Sequence, residues 1–234
     1  MRALRILIIL AVVLGGLFVA ADRIAVNFAE SEAADKIQNT QGLTGAPDVS
    51  IKGFPFLTQV ANGSLDEVDA DLSGIQASSG GRSLTITKMS AQLHDVAISN
   101  NFSSAVANRA TGSGSISYAD LSKAAEEGVA VSYGGQDKAG TSQVKVTARA
   151  TVLGRTLERN VVSTVSIVGG DTVKLHAEAV PGSEIPGLEK VIREKIDFER
   201  RIEGLPAGLK LDKVEATRDG IEVSVIGSNV ELAG

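Results

Sequence analysis

The chain has no cysteine and no tryptophan, only two histidines and five prolines, and aromatic residues fill 3% of its 234 positions. Without cysteine there is no disulfide, no thiolate metal site, no cysteine nucleophile and no lipid-modified cysteine. Two histidines are too few ligands for a transition-metal site, so neither metal nor cofactor is expected. An excess of positive charge is missing as well. The formal net charge is −5 and the pI about 5.2, which argues against a general nucleic-acid footprint. The usual catalytic motifs are also absent. The GSGS at 112–115 misses a G-x-S-x-G elbow and falls inside an alternating stretch, and neither a P-loop nor a G-x-G-x-x-G follows a strand pattern. His94 lies beside Asp95, and His176 shares a polar face with Thr172, Lys174 and Glu178. Either ring is a conceivable general base, yet no catalytic set surrounds it, and the expectation is a protein that is not an enzyme.

What is present begins at the N-terminus. Arg2 and Arg5 precede an uncharged run from Ile6 to Ala21, and Val19-Ala20-Ala21 offers small residues where a signal peptidase cuts. Sixteen residues are long for a signal-peptide core and short for a full span of about 20. Residues 1–21 are therefore a signal peptide or an N-terminal transmembrane anchor, and residues 22–234 form one extracytoplasmic domain. Basic residues before the run and acids after it place the N-terminus inside. The location expected is the cell membrane, single-pass, or secreted or periplasmic if residues 1–21 are removed. The next segment sets Ile24, Phe28 and Ile37, with Ala33 or Ala34, on one helical stripe, so a helix is expected to continue out of the membrane.

Beyond that helix the pattern has period two. Val68, Ala70 and Leu72 alternate with acids; Met89, Ala91 and Leu93, then Ala110, Gly112, Gly114 and Ile116, then Val144, Val146, Ala148 and Ala150 do the same. Val173, Leu175 and Ala177, and finally Ile221, Val223 and Val225, repeat it. Strands with one wet and one dry face indicate antiparallel pairing. Gly169-Gly170 and Asp219-Gly220 supply hairpin turns, whereas Gly80-Gly81 and Gly134-Gly135 read as longer polar loops. Two further helices are expected, Ala119 to Glu127 and one from near Pro186 carrying Leu188, Val191, Ile192 and Ile196. The class is α+β, with about nine or ten strands in one domain. Periodicity leaves open whether the small dry faces pack to normal density or curl around a channel. The acids Asp66, Glu67, Asp69 and Asp71 read as a solvated face that discourages edge pairing. Arg193, Lys195, Arg200 and Arg201 are interleaved with acids, so their net field is small, although a single one can touch a lipid phosphate.

PDVSIKGFPFLTQVANGSLDEVDADL at 47–72 resembles the GFPFLTQ signature of the LmeA-like phospholipid-binding proteins of actinobacterial cell envelopes. LPAGLKLDKVEATRDGIEVSVIGSNVEL at 205–232 resembles that family's C-terminal LP-x-GL hairpin, and SYADL at 117–121 fits the same pattern, with Ala207 smaller than its usual counterpart. The resemblance implies a strongly curved, elongated antiparallel sheet wrapped on two or three helices around an apolar cavity for phospholipid. It implies non-enzymatic phospholipid binding and carrying that supports envelope lipid or glycolipid assembly. The alternative is a membrane-anchored scaffold that supports a membrane enzyme of envelope glycan synthesis by protein contact. The expected lining or mouth is Phe54, Phe56, Leu188, Val191 and Ile192. Pro55 lacks an N–H and favours extended geometry at Phe54, so an extended segment would project Phe54 and Phe56 to one side, as a plug at the mouth or a staple on the core.

Overall fold

Each period-two stretch becomes a strand, and every strand pairing is antiparallel. The structure, a computed structural model, describes residues 2–41, 43, 45–79, 82–99, 104–125, 127–152, 155–180, 188–202 and 205–233. The elements are α1 (Arg2–Gln41), β1 (Asp48–Lys52), α2 (Phe56–Ala61), β2 (Ser64–Ser79), β3 (Arg82–Ser99), β4 (Ser104–Ser117), α3 (Tyr118–Ala124), β5 (Val129–Gln136), β6 (Ser142–Val152), β7 (Arg155–Val168), β8 (Thr172–Ala177), α4 (Leu188–Ile196), β9 (Phe198–Arg201), β10 (Leu209–Ala216) and β11 (Gly220–Ala233). The α+β class is as expected from the sequence. The strands divide between two sheets, one ordered β1-β2-β3-β4-β11-β10 and the other β5-β6-β7-β8-β9.

One local expectation changes. Gly134 and Gly135 are not in a loop but inside β5, where the register slips between Tyr133 and Gly135. A side chain at Gly134 would meet the backbone of Val144 at 2.6 Å, so the glycine permits the close approach of a bulged strand. The helix expected to continue past Ala21 does so, to Gln41; of its apolar stripe Ile24 and Phe28 are each 71% exposed and Ile37 is half-buried. The helix instead turns Asp22, Ala25, Val26 and Ala29 inward, because small side chains let it lie close to its neighbours. Pro186 lies outside the described residues. The turns at Gly169-Gly170 and Asp219-Gly220 join β7 to β8 and β10 to β11 as expected.

Two separate cores result. In the first, Ile192 and Ile196 of α4 pack on Val144, Val146, Val161 and Ala177 of the five-stranded sheet, together with Ala216 at the end of β10. Ala216 N donates to Ser142 Oγ at 3.0 Å and Leu211 N to Gly170 O at 2.7 Å, which fastens β10 to the second sheet. In the second core, Val26 and Phe56 pack on Leu65, Val96 and Ala107 of the six-stranded sheet. Ser117 caps α3 by accepting from Asp120 N at 3.1 Å.

Tyr118 leans into the first core and its hydroxyl donates to Thr217 O at 2.7 Å. Burial, with Tyr133 nearby, pushes its phenol up to about 12. The folded state therefore holds that proton more tightly than the unfolded chain. Stability is expected to be intact below pH 10 and to fall as the pH rises towards 12. Tyr118→Phe should cost about 0.5–1.5 kcal/mol at neutral pH and flatten that alkaline decline, both read from urea unfolding across pH.

Candidate functional site

The register of the six-stranded sheet sorts its side chains into continuous rows. One row runs Val49–Ala70–Ala91–Gly112–Val225–Leu211, and the next apolar row Leu72–Met89–Gly114–Val223–Val214. Between them, on the opposite face, lies Asp71–Ser90–Ser113–Ser224. One face of the sheet is thus apolar across all its strands. Its two ends enter the two cores. Its middle (Ala70, Leu72, Met89, Ala91, Gly112, Gly114, Val223 and Val225) belongs to neither core and is half-buried, with Met89 40% exposed. A side chain at Gly112 would meet Ser90 O at 2.9 Å and Val225 Cγ2 at 3.1 Å, so glycine keeps the floor of this band low.

The polar face is hollowed. A groove of about 320 Å³ is lined by Asp69, Asp71, Ser90, Gln92, Thr111 and Ser113 among others, and a neighbouring one of about 600 Å³ reaches Lys88, Ser115 and Glu222. Ser90 and Ser113 join hydroxyls at 2.9 Å. Asp69 faces Lys52 at 3.6 Å, and Glu67 faces His94 at 3.4 Å. Edge protection is not what these acids do, because β2 is flanked on both sides by β1 and β3. Both hollows are open; the first is mostly polar, whereas the second also takes in Leu72 and Met89 of the apolar band.

The residues singled out in the sequence do not converge. Phe56 is 5% exposed in the second core, whereas Ile192 is fully buried in the first with Val191 partly buried beside it. Leu188 opens α4, in the same helix as Val191 and Ile192. Phe54 is 57% exposed, with the Arg23 guanidinium 5.2 Å above its ring. Phe54 and Phe56 point apart because the segment is not extended. The Phe54–Pro55 peptide is cis, Pro55 caps α2, and Phe56 is the first helical residue.

The GFPFLTQ stretch is a joint. Asp22, fully buried, accepts from Leu57 N at 2.8 Å and from Arg23 at 2.7 Å. Gln59 Nε2 donates to Lys52 O at 3.2 Å while its Oε1 accepts from Asp66 N at 2.8 Å, bridging the ends of β1 and β2. Gly53, with φ +89, makes the turn; a side chain there would strike Gln59 at 2.6 Å. Glu30 accepts from Ile51 N at 2.7 Å, so α1 covers the outer edge of β1. Sequence reading missed Asp22, Gln59 and Glu30. The one signal for Asp22 was its position as the first charge after the uncharged run.

The remaining candidates are committed locally. Arg193 binds Glu189 at 3.0 Å, Asp197 at 3.4 Å and Ala177 O at 2.7 Å, and these partners, Glu189 foremost, raise its affinity for its proton. It ties α4 to β8. His176 pairs with Asp197 at 3.1 Å on the surface. Among the described residues neither histidine hydrogen-bonds a serine.

A family model described as LmeA-like phospholipid-binding matches residues 20–226, which takes in the joint, both cores and the apolar band. No curated protein and no solved structure matches the chain.

Removing the carboxylate that seats α2 on α1 leaves Leu57 N–H without its partner. Asp22→Ala should therefore destabilise the domain by about 1–2 kcal/mol, and Asp22→Asn by less, measured by urea unfolding of the full chain in detergent.

Proposed function

The chain belongs to the LmeA-like phospholipid-binding family, and on that premise we propose that it binds and carries phospholipid in the cell envelope without covalent chemistry. The observation behind this reading is the apolar band, a strip of small and aliphatic side chains left half-exposed between two closed cores. Such a strip is unfavourable against water and suits acyl chains. Burying hydrocarbon gains about 0.8 kcal/mol per CH₂, hence on the order of 10 kcal/mol gross for one long chain. That gain is spread along a wall, so no residue needs to be dedicated to chemistry.

In this reading Phe56 and Ile192 stiffen the two end walls, Val191 extends the wall on α4, the helix that Leu188 opens, and Leu72, Met89, Val223 and Val225 carry the acyl contact. Residues 1–21 remain as a single-pass anchor, and the sheets lie outside the cytoplasmic membrane. Retention is supported by Asp22 and Val26, which continue the same helix and belong to the folded domain. The role is to support envelope lipid or glycolipid assembly. A scaffold for a membrane enzyme of envelope glycan synthesis is the second reading, favoured by the fact that both cores are filled by the chain's own side chains.

Native mass spectrometry of the full chain, exported and extracted from membranes, decides between them. Stoichiometric phospholipid is expected. Met89→Glu places a charge on the acyl surface at an exposed position and should lower lipid occupancy about tenfold or more with little change in melting temperature. A lipid-free chain that takes up no added phospholipid would sink the carrier reading in favour of the scaffold.

A further inference from the structure

The uncharged run from Ile6 to Ala21 is helical throughout and spans about 24 Å at 1.5 Å per residue. A bilayer's hydrocarbon layer is about 30 Å thick. The anchor is short by about one helical turn. Four of the exposed apolar side chains outside it lie at or just beyond that end. Ile24 lies within the next turn of α1 and Phe28 one turn further, each 71% exposed. Leu57, 36% exposed, sits at the same height because its N–H is bonded to Asp22. Phe54, 57% exposed, sits there too, under the guanidinium of Arg23. Arg23 is half-exposed and paired with Asp22, the arrangement of a long cation that reaches from an apolar layer to the headgroups.

We propose that Phe54 and Leu57 on one side of α1, with Ile24 and Phe28 on the other, form a membrane foot, an apolar collar that enters the headgroup–acyl boundary of the bilayer crossed by α1 and completes its short span. The occupant is the lipid surface itself, because the collar continues directly from the membrane helix and meets the length that the helix lacks. The foot rests on the anchor being retained, as proposed above. It seats the α2 end of the six-stranded sheet on the membrane, so the apolar band begins next to its lipid source.

The chain has no tryptophan, so Phe54→Trp introduces a single reporter. The full chain is reconstituted in phosphatidylcholine–phosphatidylglycerol vesicles that carry bromine on their acyl chains. Expected are blue-shifted emission and quenching several-fold stronger than for Tyr133→Trp, a 42% exposed control on β5, with Leu57→Trp behaving as Phe54→Trp does. Quenching no stronger than the control overturns the foot. So does blue-shifted but unquenched emission, which would place a second copy of the chain over the collar. Intact-mass measurement of the same sample separates the premises. A full-length, inserted chain with a wet reporter removes the foot alone, whereas a chain that begins at Asp22 removes the anchor as well.

Discussion

The carboxylate of Asp22 is the contact on which the arrangement depends. It is fully buried and placed one residue past the uncharged run, and it holds an N–H of α2 on one side and Arg23 on the other. A buried anion without partners is costly, so α1 can neither slide nor rotate without breaking it. α2 is thereby fixed, and with it Phe56 in the second core and Gln59 across the β1–β2 junction. The motif carrying the family resemblance acts first as a mechanical joint between the long N-terminal helix and a sheet.

The six-stranded sheet is two surfaces on one backbone. Alternation in phase across six strands sets Ala, Gly, Val, Leu and Met on one side and Asp, Ser, Thr and Gln on the other. Small residues at the centre of the apolar side keep it low. The larger side chains gather at its ends, where α1 and α2 cover one and the second sheet with α4 covers the other. A band therefore remains between two closed cores, half-buried along its middle with Met89 exposed.

Much of this was legible in the sequence. Strand faces follow from period two, and directly paired rows such as Ala70–Ala91–Gly112 confirm the dry residues one by one. The turns at Gly169-Gly170 and Asp219-Gly220 were equally plain. The division into two sheets was not, because it depends on which strands meet across long separations, and alternation is silent about that. Gly134-Gly135 misled because a diglycine serves a bulge as well as a loop. The helix carrying Ile24 and Phe28 was legible as well, but not the face it buries. Hydrophobic spacing identifies a face but not its neighbour, and here the inward face was chosen by Asp22 and by small alanines. Contacts such as Asp22 to Leu57, side chain to backbone over 35 residues, leave no periodic trace.

Between Asp22 and Gln41 helix α1 contains neither glycine nor proline. That stretch is a stiff rod of about 30 Å rather than a leash, and its first half is packed against the domain. A domain mounted in that way cannot swivel towards whatever drifts past. Whatever holds the first half of the helix therefore also orients the sheet docked on its second half through Asp22, Val26 and Glu30. The stiffness of one helix thus acts as an alignment device: the direction of the N-terminal run and that of the sheet cannot be changed separately.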